Sequence, residues 1–235
     1  MLETIRNAWR IKEIRMKIFY TLLMLFLYRL GTSFIPVAGV NALYIAQQVE
    51  EFEILGFLNM LTGGSLGKFT IFALGISPYI TASIVLNLLT FAIPYLERLA
   101  KDGGQEGRDK IARYTRYLAI VLAFVESVGI MFSLRGALLD TSFFSYFTIA
   151  VQLAGGTALT MWMCEKITEK GIGNGMSLII FVGIVAGLPG YVIELGTNIA
   201  AGTANAWVIL PILLISVGIV AGVRSEEHTS ELQSH

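Results

Sequence analysis

The sequence is poor in the residues that carry chemistry. Its 235 residues hold one cysteine, Cys164, and two histidines, His228 and His235, both within the last twelve positions. A disulfide within the chain is therefore impossible, and a Cys/His metal site lacks its ligands. Charge is scarce as well: Asp, Glu, Lys and Arg make up 14% of the chain, against about 25% in soluble domains. Lys+Arg and Asp+Glu stand at 17 each. Setting aside the last twelve residues, with one Arg and three Glu, leaves 16 basic and 14 acidic side chains. That near balance gives too small a basic surplus to suggest nucleic-acid binding. No nucleophile–base pair, carboxylate pair or nucleotide motif is placed for catalysis, so no enzyme is expected.

Apolar residues are what the chain does have: 55% of the sequence, with a mean hydropathy of +0.69. A membrane protein is the reading that fits. Crossing a bilayer as a helix takes about 20 mostly apolar residues, and six stretches approach this: 18–36, 71–93, 117–134, 146–164, 176–195 and 207–223. Arg29 falls in the first and Glu126 in the third, where charge is costly unless it faces protein or water. Basic residues cluster before the first span (Arg6, Arg10, Lys12, Arg15, Lys17) and in the loop after the second (Arg98, Lys101, Arg108, Lys110, Arg113, Arg116). Lys166 and Lys170 follow the fourth. The opposite loops hold Lys68 and Arg135 among Glu50, Glu51, Glu53, Asp140 and Glu194. The positive-inside rule then places the N-terminus in the cytoplasm. A cleaved signal peptide is not expected, since a long basic preface leads in and no small-residue cleavage site follows. Residues 1–17 form a leader that is either an amphipathic helix on the membrane surface, with Leu2, Ile5, Trp9 and Ile14 at roughly helical spacing, or a solvated basic segment.

After Val223 the hydrophobicity stops and a polar run, RSEEHTSELQSH, begins. It back-translates to a stretch resembling a DNA-sequencing adapter. Residues 224–235 are therefore expected to be foreign to the natural chain, the alternative being a genuine polar tail. Between the first two spans lies GFLNMLTGGSLGK, apolar but too short to cross and broken by Gly63, Gly64 and Gly67. It reads as a discontinuous or re-entrant helix running straight into the second span, or else as an interfacial helix. Its GGSLGK is not a phosphate loop: Thr62 stands where the first glycine belongs, and Phe69 follows the lysine. A second cluster, KGIGNG, opens the fifth span with a turn at Gly173, Asn174 and Gly175. Near each break, apolar residues stand four apart: Ile76 and Ile80, then Met176 and Ile180. Such pairs share a helix face, which also fits ordinary packing.

Four segments carry a resemblance: YRLGTSFIPVAGV (28–40), LNMLTGGSLGKFTIFALGISPYITASIVLNLL (58–89), EGRDKIARYTRY (106–117) and EKITEKGIGNGMSLIIFVGIVAGLP (165–189). In order and without large gaps, residues 1–223 resemble the SecY family of bacterial protein-conducting channels. The resemblance implies an all-α polytopic membrane protein with ten spans in two inverted halves. This chain would supply the first inverted repeat of five spans, 18–223 including most of a sixth, in the bacterial cytoplasmic membrane. Gly56, Phe57, Leu58, Asn59, Met60, Leu61, Thr62, Gly63, Gly64, Ser65 and Leu66 would be the plug that closes the channel from outside. Ile76, Ile80, Met176 and Ile180 fall on pore-ring positions. Met176 departs from the isoleucine usual there, and its flexible thioether would soften the ring. Asn87 falls in one wall of the lateral gate, where it would tune gate opening or simply bond a neighbouring helix. Arg29 matches a recurring basic position of structural character; Glu126 receives no role. The implied partners are SecE and SecG, the motor ATPase SecA, the ribosome, signal sequences, unfolded preproteins and membrane lipid, with no direct nucleic-acid contact and no cofactor. An inverted-repeat transporter of a small solute is the alternative; it would need polar groups in the membrane to hold its substrate.

Overall fold

The computed structural model describes residues 11–201 and Ile215. Among these every regular element is helical, and extended pairing is confined to two isolated bridges, Pro36 with Thr70 and Val40 with Leu138. The chain divides into two compact units, Met1–Gly187 and Leu188–His235. Residues 1–10 of the expected leader, the expected sixth span at 207–223 (Ile215 apart) and the tail at 224–235 lie outside the described residues.

Helix α1, Lys12–Phe34, has 23 residues and is about 34 Å long at ~1.5 Å per residue. Lys12 to Lys17, the end of the expected leader, are thus continuous with the helix that holds the first apolar stretch. Thr21, Leu25, Tyr28 and Thr32 lie buried on one face, while Phe19, Leu22, Phe26 and Phe34 stay exposed. The helix stops before Ile35, because the residue ahead of a proline is pushed out of the helical region; Pro36 is next.

Two short helices follow. In α2, Ala42–Glu51, Asn41 caps the start by accepting from the Leu43 and Tyr44 amides at 3.1 and 3.4 Å. Ile45 and Val49, four apart, bury one face. An extended Phe52 turns the chain into α3, Glu53–Leu61. The next helix, α4, is Ser77–Ala92. Between them residues 62–76 form neither helix nor strand, yet most are buried. The second span was expected to start at residue 71; the structure corrects this to Ser77. Residues 69–71 instead lie antiparallel to 35–37, with the Val37 amide donating to the Phe69 carbonyl (2.9 Å) and the Ile71 amide to Ile35 (3.0 Å). Those long-range bonds, with left-handed φ at Phe69 (44°) and Gly75 (55°), exclude a helix there.

Helix α4 ends at Ile93 before Pro94, and α5, Pro94–Lys101, turns away by 103°. Helix α6, Gly104–Ser133, is 30 residues long. The expected basic loop after the second span is therefore mostly helical: Arg108, Lys110, Arg113 and Arg116 ride on the first turns of α6, helped by a Glu106–Lys110 pair at 2.8 Å. Four-residue spacing lets such pairs support a helix. Helix α7, Phe143–Lys170, is capped by Ser142, which accepts from the Ser145 amide and donates to Asp140 at 2.7 Å. That bond, with one from the Ser142 amide, holds the Asp140 carboxyl below its ordinary range. Helix α8, Gly175–Ala200, carries Pro189 in its interior. Helices α6, α7 and α8 are long and apolar enough to cross a membrane, and the bent α4–α5 pair is a further candidate.

Up to Gly187, α6 packs on both α4 and α7, and α1 packs on α7. Ala82 and Ala119 are fully buried beside Met161, where small residues let α4 and α6 approach closely. One core joins α2, α6 and α7 through Ile45, Val49, Met131, Ile149 and Leu153; another joins α1, α7 and α8 through Leu25, Tyr28, Ile167 and Ile179. The irregular stretch feeds both: Leu66, Phe69 and Leu74 enter the first, Phe72 and Ile76 the second.

Candidate functional site

The site is built around residues 59–76. At the C-terminal end of α3, Gly63 and Gly64 adopt φ of 68° and 84°, a conformation glycine reaches without strain. The Gly64 amide reaches back to the Asn59 carbonyl (2.8 Å) and that of Gly63 to Met60 (3.1 Å), satisfying carbonyls that the helix leaves open. Asn59 Oδ1 accepts from the Gly67 amide at 2.7 Å. Ser65, fully buried, has its hydroxyl 2.8 Å from the Phe72 carbonyl and 2.9 Å from that of Thr62. A segment with no regular ladder is thus held by side-chain bonds, as buried backbone requires.

The carbonyl of Gly63 takes a different partner. Arg29 of α1 donates to it through Nη1 at 2.5 Å. Behind Gly63 lies α8: a Cβ built on Gly63 would sit 2.9 Å from Gly183 Cα. Neither the Arg29 partner nor the role of Gly183 was foreseen. Gly183 and Gly187 do stand four apart, a spacing that permits close backbone approach, but nothing in the sequence names the surface approached. Helix α2 was also missed, although the Asn41 cap and the Ile45–Val49 pair are signals for it.

The four expected ring residues separate. Ile76 is 6% exposed and belongs to the core around Tyr28 and Phe72, whose rings meet edge to face at 5.4 Å. Met176 and Ile180, partly buried, pack on that core. Ile80 is 41% exposed and stands outside it. Asn174 caps α8 by accepting from the Met176 and Ser177 amides, and Gly173 has the positive φ (75°) expected of the turn.

Ile76 and Met176 also line a cleft of about 600 Å³. Gln105, Asp109, Arg116, Glu165, Thr168 and Glu169 line it as well. Arg116 pairs with Glu165 at 2.5 Å across α6 and α7, which brings the basic start of α6 and the basic end of α7 to one end of the bundle. Asn87 is exposed on α4 beside exposed Ile84, Leu88 and Phe91. Glu126 is half-buried on α6. Among the described residues no cluster of His, Cys, Asp and Glu could hold a metal.

Comparisons with known proteins fit this arrangement. A family model described as SecY matches residues 70–230. The protein translocase subunit SecY of Aquifex aeolicus is 42% identical over 233 residues, covering 95% of this chain and 54% of that protein. That of Halalkalibacterium halodurans is 44% identical over 228 residues, covering 94% and 52%. The chain spans about half the length of the curated relatives it matches. Two solved structures share the fold: a protein conducting channel, and Sec61 in the canine ribosome-channel complex from the endoplasmic reticulum. Each has a TM-score of 0.63 and 24% identity, over 92% of this chain and 48% of that one. The all-α, SecY-type bundle expected from the sequence is the fold observed. Matched by the family model over more than half its length, from the residues just after the glycine-broken segment onward, the chain belongs to the SecY family.

Proposed function

We propose that this chain forms the first half of a channel that passes unfolded polypeptides across the bacterial cytoplasmic membrane and releases apolar segments into lipid. The observation that carries the reading is the buried irregular stretch 62–76 between two helical cores. Backbone without a helical ladder survives at membrane depth only where protein or a water-filled cavity covers it. Next to it lies a cleft lined both by apolar Ile76 and Met176 and by polar Gln105, Asp109, Arg116 and Glu165. An unfolded chain needs such a path: water at the entrance, then an apolar constriction that blocks ions without preferring a sequence.

In this reading residues 56–66 are the plug. Ile76, Ile80, Met176 and Ile180 supply this half of the ring, and the remainder of the full-length protein supplies the rest. Helices α4 and α6 form one wall of the lateral gate. The exposure of Asn87 on the apolar face of α4 favours its role in tuning the gate over a bond to a neighbouring helix. The meeting of the basic ends of α6 and α7 supports a cytoplasmic placement of that end, and with it of the N-terminus. SecE and SecG would complete the channel in the membrane. SecA or the ribosome would drive the chain through it.

Two experiments test the reading. Cells depleted of their own SecY should not be rescued by this chain alone, and should be rescued when it is joined to the C-terminal half of a SecY relative; rescue by residues 1–223 alone overturns the proposal. For orientation, Gly104→Cys should resist an impermeant thiol reagent applied to intact cells while Asp140→Cys reacts. The reverse pattern inverts the topology.

A further inference from the structure

Arg29 is a cation on an apolar helix, and its hydrogen bond runs 34 positions along the chain to the carbonyl of Gly63. No acidic side chain pairs with it among the described residues. The acceptor is the left-handed glycine just past the end of α3, where unpaired carbonyls concentrate negative charge and a cation is favoured. A charge-assisted bond of this kind is among the stronger ones available. It exists only while residues 56–66 lie where the structure has them.

The same glycine rests on α8 with no side chain between. A Cβ at Gly183 would lie 3.0 Å from the Leu61 carbonyl oxygen and 3.3 Å from the Gly63 nitrogen. Gly183 follows Ile180 by three positions and Met176 by seven, so all three share one stripe of α8. The surface that supports the end of the segment therefore continues the surface that carries two proposed ring residues.

We propose that Arg29 and Gly183 form a two-point latch on the plug, with Arg29 as the positioning residue that holds it shut and α8 as the lever that releases it. This rests on the plug reading above. A polypeptide entering between Ile76 and the Met176–Ile180 stripe pushes α8 aside, removes the bed under Gly63 and leaves one hydrogen bond to break. Opening is thereby tied to occupancy of the ring.

The test uses the full-length channel protein containing this half, assembled with its partner subunits and reconstituted in a planar bilayer. Resting ion conductance and thermal midpoint are read for Arg29→Gln, Arg29→Lys, Gly183→Ala and a deletion of residues 57–65. Losing a charged hydrogen bond should raise the resting open fraction by about tenfold in Arg29→Gln. Arg29→Lys, which keeps a cationic donor, should recover most of the seal. Gly183→Ala should leak because its methyl lifts Gly63, although Arg29 is intact. A leaking deletion beside a tight Arg29→Gln overturns the latch and leaves the plug reading standing. A tight deletion overturns both. Arg29→Gln and Gly183→Ala that lose thermal midpoint without leaking make these residues fold supports and also overturn the latch.

Discussion

Replacing Ile80 and Ile180 together with serine in the full-length protein raises its resting ion conductance severalfold and leaves its thermal midpoint nearly unchanged. The argument starts from exposure. Ile80 is 41% exposed in this half and Ile180 is only partly buried. Ile80 stands outside the cores and Ile180 only flanks one, so shortening them removes less packing than truncating a fully buried side chain. Both are assigned to the constriction, where the seal depends on surfaces that water does not wet. A hydroxyl at each position wets it. Ile76, proposed for the same ring, is packed into the core in this half and should behave oppositely. It is 6% exposed among Leu25, Tyr28, Phe72 and Ile179, so Ile76→Ala should cost about 2–5 kcal/mol, as other buried truncations do. Single-channel recording beside a thermal melt separates the two outcomes. Wild-type conductance in the serine pair, with a lowered melting temperature, would place Ile80 and Ile180 in packing and sink the ring assignment.

Gly155→Ala and Gly156→Ala, neighbours on α7, should differ sharply. A Cβ at Gly155 meets nothing within 4 Å. Alanine there gains the helix propensity that glycine lacks, up to about 1 kcal/mol. A Cβ at Gly156 would collide with the backbone carbonyl of Ile71, and a carbonyl cannot rotate away like the end of a side chain. Ile71 is also pinned, because its amide donates to Ile35. The overpacking should cost about 1–3 kcal/mol or more and should disturb the 69–76 stretch before it disturbs α7. Thermal melts of the two variants check the direction. Equal stability would mean that α7 does not touch the irregular segment where the structure places it.

The helices of the first five apolar stretches and the break between the first two were legible because they depend on composition over short windows. Helices α1, α6, α7 and α8 overlap four predicted spans, and the cap of α8 is the Asn174 turn read from KGIGNG. The limits of the elements were less legible. Arg108 to Arg116 have the composition of a loop, yet they extend α6, because Glu106 pairs along the helix and Arg116 reaches Glu165 on α7. Ile76 and Ile80 stand at helical spacing, and Ile80 does bond back to Ile76. Spacing could not say that one is buried in a core and the other open to its surroundings.

By itself the sequence determined that this is a helical membrane protein with no disulfide within the chain, with apolar spans and a glycine-broken segment after the first. Each of those follows from what neighbouring residues allow: apolar length, scarce charge, glycine where φ turns positive. Only the tertiary structure decided that residues 71–76 stay out of the second helix, that Arg29 finds the Gly63 carbonyl, and that Gly63 rests on Gly183. Local preference at Ile71 and Phe72 favours continuing the apolar helix. It loses to hydrogen bonds with residues 35–37 and to side chains shared between two cores, partners brought near only when the whole bundle has closed.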